Sequence, residues 1–151
     1  MKFDDRIEST VRDLFNAVVK SKEGDFEAAL RELPDEASRH KALELAVAVC
    51  GFVVIDTYDR RPTADETREI AQGVVEAGSW MPLSEQEVAT FLTAALNGRP
   101  LVEAVGAENA FFLAFIITGI LLVASPKVGE GEFWFNYLDR VEAAIEAAPA
   151  S

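Results

Sequence analysis

A chain of 151 residues, half of them hydrophobic, is long enough to bury one core and too short to need two, so a single domain is expected. Its formal net charge of −12 argues against binding nucleic-acid phosphates or anionic lipid and favours cations or basic proteins. The lone cysteine rules out an intrachain disulfide, and the lone histidine rules out a two-histidine zinc site.

The first helix follows from Phe3, Ile7, Val11, Leu14, Phe15 and Val18, which recur at three- and four-residue steps and line one face. The N-terminal residues MKFDDRIEST lack the apolar stretch of a secretion signal. With Cys50 inside the apolar run 45–55, a cytoplasmic location is expected. A short second helix carries Phe26, Leu30 and Leu33, with Asp25 as its expected N-cap and Pro34 as its stop. A long third helix should run from Asp35 to Tyr58.

Two capping boxes mark the next helix starts, Thr63 with Glu66 and Ser84 with Glu87. The first leads into Ile70, Val74 and Val75. The second leads into Val88, Phe91, Leu92, Ala95 and Leu96, and stops at Asn97-Gly98-Arg99-Pro100. Residues 101–105 supply one further turn. Residues 108–124 form an apolar helix halted at Ser125-Pro126, and 132–147 form the last, with Trp134, Leu138, Val141 and Ile145 facing inward.

No stretch alternates with a two-residue period for long enough to demand a sheet. The expected fold is therefore an all-α, single-domain bundle of about seven helices over 1–147, with two apolar central helices and a frayed tail at 148–151. The longest strongly apolar segment, 110–124, falls short of the ~20 residues that a membrane span requires, so no integral span is expected.

The pattern of apolar helix, acidic hinge and amphipathic helix occurs twice, over 43–77 and 109–143, at an ungapped offset of 66 residues. This degenerate internal repeat sets Ala48 on Ala114, Val54 on Ile120, Glu66 on Glu132, and Val75-Glu76-Ala77 on Val141-Glu142-Ala143. Charge divides unevenly along the chain: residues 1–61 carry −3 and 62–151 carry −9.

In the first hinge an apolar helix is followed by an Asp-led turn, a capping residue and a glutamate seven after the Asp. That order resembles the TerB-like family of tellurite-resistance and stress-response proteins, whose pattern is approximately Ala-Asp-Gly, a few polar residues and an acid-rich helix start ending in Glu. Asp59 and Glu66 match the two acids, while Tyr58 replaces the Ala and Arg60 the Gly. The second hinge keeps Ala124 and Glu132, and Ser125-Pro126 replaces the Asp-Gly pair. The resemblance spans roughly residues 41–147. It implies a helical interaction module of bacterial stress or defence assemblies, with acids proposed to hold a metal ion.

On that basis Asp59 and Glu66, joined by Asp56 or Asp65, are the candidate ligands of a hard cation, Ca²⁺ or Mg²⁺. The competing reading is structural: Glu66 closes a capping box with Thr63, and Asp59 bonds the turn amides. No EF-hand loop, phosphate-binding glycine loop or Cys–His pair is present. Two alternatives stay open. One is a small all-α Mg-dependent hydrolase using Glu66, Glu69 and Glu76, and the other a carrier of a small apolar ligand between the central helices.

Phe133-Trp134-Phe135-Asn136-Tyr137 puts four aromatics into five residues, and one helix cannot turn all of them inward. One reading covers the run with the core and the protein's own N-terminal helix; in the other, Trp134, Phe135 and Tyr137 are the candidate contact residues for a protein partner or a homodimer.

Overall fold

The structure is a computed structural model and describes residues 2–78 and 80–148. Among the described residues it is all-helical, with eight helices: α1 (Asp5–Val19), α2 (Glu23–Leu30), α3 (Glu36–Tyr58), α4 (Ala64–Ala77), α5 (Glu85–Leu96), α6 (Leu101–Val105), α7 (Ala107–Ala124) and α8 (Trp134–Ala147). The turn expected at 101–105 is the short α6. Of the tail expected to fray, 149–151 lies outside the described residues.

α3 and α7 form the centre. They pack directly on each other, and burial follows their composition: Leu45, Ala46, Val49, Cys50, Val53 and Val54 face inward from α3. On α7 every residue from Leu113 to Gly119 is buried. A helix apolar on nearly all sides needs cover all round. α7 obtains it from α1, α3, α4, α5, α6 and α8, and it reaches α2 through Phe26, whose ring packs on Phe112 and Phe115.

α7 is the one described helix long and apolar enough to cross a bilayer, at eighteen residues. It extends three residues further back than the apolar segment seen in sequence, because Ala107, Glu108 and Asn109 continue its first turn. The inner face of that helix is taken up by the core, so there is no clear integral span.

The two segments aligned by the sequence repeat fold as α3–α4 and α7–α8. α4, which follows α3, comes to lie on α7 and α5. α8, which follows α7, lies across α3 as well as α7. One continuous core results, contributed by residues from Val11 on α1 to Val141 on α8.

Two expected boundaries moved. α2 begins at Glu23 with Lys22 in the cap position, not Asp25. The preceding turn is closed by backbone instead, with Ser21 in the left-handed region and the Lys22 amide donating to the Ala17 carbonyl. α8 begins at Trp134 rather than Glu132, because Glu132 is engaged in the loop before it. α3 runs as expected, with Asp35 capping it through the Ser38 amide.

Candidate functional site

Both hinges lie at the same end of the central pair, where the ends of α3 and α7 meet. Val53, Val54, Thr57, Tyr58, Leu121, Ala124 and Ser125 line a cavity there of about 80 Å³. α3 ends because Asp59 adopts a left-handed conformation, φ 56°. Aspartate tolerates that region better than most side chains. Its carboxylate is 82% exposed and faces the Lys127 ammonium of the second hinge at 3.7 Å.

Glu66 is fully engaged. Its Oε1 accepts from the Thr63 amide at 2.9 Å while its own amide donates to Thr63 Oγ1 at 3.2 Å, which completes the capping box. Both carboxylate oxygens also receive the Arg60 guanidinium, at 2.6 and 2.9 Å. Arg60 first, then the Thr63 amide, hold the Glu66 carboxyl down at about 2. Asp56 and Asp65 have other partners: Asp56 accepts from the Tyr137 hydroxyl at 2.7 Å, and Asp65 pairs with Arg68.

The second hinge repeats this device. Glu132 Oε1 accepts from the Gly129 amide at 2.8 Å, the counterpart of the Thr63 amide at the 66-residue offset. A guanidinium again completes it, but Arg140 supplies it from inside α8, at 2.5 Å. Arg140 and the Gly129 amide hold the Glu132 carboxyl below its ordinary range. Each guanidinium also lies over a tyrosine ring, Arg60 over Tyr58 at 5.9 Å and Arg140 over Tyr137 at 5.5 Å. The two acids aligned by the repeat therefore close equivalent loops.

Among the described residues no three Asp, Glu, His or Cys side chains converge in a way that would hold a metal ion. Glu69 and Glu76 are exposed along α4. The cavity where α3 and α7 meet is the small one of about 80 Å³ described above. The larger hollows are open clefts, such as one of about 490 Å³ lined by Gln86, Thr90, Thr93, Arg99 and Glu103 of α5, α6 and their connection.

The aromatic run divides by helix geometry. Tyr137 is 2% exposed and belongs to the interior, where burial first, then the Asp56 hydrogen bond, pushes its hydroxyl pKa up. Trp134 is half-buried against the core. Phe133 and Phe135 face outward at 64% and 42% exposure, stacked at 5.3 Å between centroids and 13° between planes. Trp134 meets Phe135 edge-on at 5.8 Å. The surface part of the run is thus Phe133 and Phe135, with Trp134 behind them.

Two further groups have defined roles. His40 pairs with Glu44 on the exposed face of α3 at 2.8 Å. Burial pushes the Cys50 thiol up to about 11, beside Thr118 of α7, which marks a packed and unreactive sulfur.

Sequence reasoning missed a cluster between α1 and α8. Arg12 donates to Glu8 on its own helix and to Asp139 and Glu142 on α8. The spacing of Glu8 to Arg12 and of Asp139 to Glu142 places each pair on one helix face. Nothing in the sequence tells that the two faces meet.

The sequence matches no protein-family model and no curated relative, and the fold matches no solved structure.

Proposed function

We propose that the protein is a helical contact module that docks a basic partner protein on the Phe133–Phe135 surface, with the paired hinges holding that surface in place. The observation that carries this reading is the exposed phenylalanine stack at the start of α8. Two stacked rings that keep 64% and 42% of their surface in water forgo roughly 1–2 kcal/mol of burial each, which a covering partner recovers. Aromatic anchors of this kind concentrate binding energy at interface centres.

Charge selects the partner. Two copies of a −12 chain repel each other, whereas a basic segment is drawn to the distal region, which carries −9. The resemblance of the first hinge to TerB-like domains supports a role in a bacterial stress or defence assembly. In this reading Asp59 and Glu66 lock the hinge by means of Lys127, Arg60 and Thr63. A Ca²⁺ or Mg²⁺ ion at the same acids would have to displace both cationic side chains.

The test is a fluorescence titration with a lysine-rich amphipathic helical peptide, in which Trp134 beside Phe135 reports the contact. Wild type should bind at 150 mM salt, and Phe133→Ser with Phe135→Ser should weaken binding at least about tenfold. Equal binding by both proteins would reduce the interaction to net charge and remove the aromatic surface from the proposal. Light scattering completes the test, since a dimer dispersed by the same double variant would make a second copy the occupant.

A further inference from the structure

Four charged side chains meet where α1 lies beside α8. The Arg12 guanidinium reaches Glu8, Asp139 and Glu142, which gathers three carboxyl groups around one cation. Carboxylates crowded in this way repel one another, and burial makes the charged form costlier still, so a proton on the most buried of them relieves the cluster.

The three acids differ in their access to water. Asp139 keeps 62% of its side chain exposed, whereas Glu142 is 6% exposed. Neither of the two central helices packed on α8 brings a charge to this point. α3 has none between Glu44 and Asp56, and Asp56 is bound to Tyr137, while α7 has none after Glu108. On α8 itself Arg140 is held by Glu132, and Glu146, one turn beyond Glu142, is exposed. The charges facing Glu142 are therefore Glu8 and Arg12 from α1 and Asp139 from its own helix.

We infer that Glu8, Arg12 and Glu142 form a proton-dependent latch that fastens the N-terminal helix to α8, tightest on the acid side of neutrality and looser above it. Above neutrality two buried-edge carboxylates share one guanidinium, and the cluster carries an uncompensated negative charge next to the core. Below it a proton on Glu142 removes that repulsion and leaves Arg12 to the other acids.

Burial first, then the neighbouring Glu8 carboxyl, raises the Glu142 carboxyl from 4.5 to about 7, which brings the transition into the physiological range. A folded-state value raised above the unfolded one gives stability that is complete below about 4.5 and lost as the pH rises through about 7. The latch needs no ligand and stands apart from the proposed docking surface.

Thermal unfolding between pH 5 and 8.5 tests it on the full chain. Wild type should lose roughly 2–6 °C of Tm as the pH rises. Glu142→Gln should lose less than half of that, and Asp139→Asn should keep the wild-type slope. His40 is common to all three proteins, so its titration cancels in the comparison. A wild-type slope in Glu142→Gln, or an equally flattened one in Asp139→Asn, would overturn the latch. If Glu142→Gln does not fold, the ¹³C carboxyl resonance of Glu142 in the wild type decides. A midpoint near neutrality supports the latch, and one at 4.5 overturns it.

Discussion

Gly119 is a point of close approach between α7 and α1, and a single methyl group measures how tight that approach is. A Cβ at this position would sit 2.8 Å from Val18 Cγ1 and 3.1 Å from Val18 Cβ, with the Phe15 carbonyl oxygen at 3.7 Å. Val18 is β-branched and buried on α1, so it has little rotamer freedom with which to yield. Overpacking of this kind costs about 1–3 kcal/mol, while replacing a mid-helix glycine by alanine recovers about 1. Gly119→Ala should therefore be destabilised by about 0–2 kcal/mol net, a Tm loss of up to roughly 8 °C in a chain of this size.

Val18→Ala alone loses two buried methyl groups and should cost about 2 kcal/mol. In the double variant the new methyl occupies the space that Val18 vacated, so the helix-propensity gain returns without the clash. The double-mutant cycle should then show a favourable coupling of about 1–3 kcal/mol. Urea unfolding of the four proteins gives the number. Additivity within about 0.5 kcal/mol would mean that the two helices separate freely, and would refute the argument from close approach.

The hinges supply the remaining expectations. Asp59→Gly should be more stable than Asp59→Ala by about 1 kcal/mol in thermal melts, because only glycine is unstrained at φ 56°; equal stability would show that the backbone is not limiting. Thr63→Ala should cost about 0.5–2 kcal/mol through loss of the α4 cap, again read from melting. Glu66 is held at about 2, so its contribution is present above the ordinary value of 4.5 and lost as the pH falls toward 2; circular dichroism should show a shallower acid transition for Glu66→Gln across that window. A Cβ on Gly129 would lie 2.3 Å from Glu132 Oε1, so Gly129→Ala should evict that carboxylate, and adding Glu132→Gln should then lower Tm little further.

Helix positions were legible where periodicity and side-chain caps coincide. α3 shows this best: Asp35 and the apolar run to Tyr58 locate both ends within a residue. Boundaries were lost where backbone or a distant partner does the work. The start of α2 depends on a turn closed by the Lys22 amide, for which Asp25 gave a false signal. At the start of α8, Glu132 is held in the loop by the Gly129 amide and by Arg140, eight residues further on, and Asn136 caps the helix through the Phe133 amide. The candidate acids were legible as a capping box, but their cationic partners were not. Lys127 is 68 residues from Asp59 in sequence, and only the meeting of the two hinges joins them. Likewise the aromatic run announced exposed rings, but which rings depends on the helix starting at Trp134. That start turns Tyr137 and Leu138 inward and leaves Phe133 and Phe135 outside.

The two hinges show what the repeat retains and why. The left-handed aspartate is absent from the second hinge, where Ser125 is extended and Pro126 follows it, so that α7 needs no special residue to stop. The glutamate persists in both, and in both its Oε1 takes the amide three residues earlier. That bond lies at the start of α4 and in the loop just before α8. α4 is sent onto α7 and α8 across α3, so the chain buries each central helix partly beneath a helix from the other repeat. Cover exchanged in this way makes the halves interdependent, since a hairpin alone would leave one side of its apolar helix in water. Glu66 and Glu132, at corresponding positions of the two repeats, each take a guanidinium from a different place, Arg60 before α4 and Arg140 inside α8.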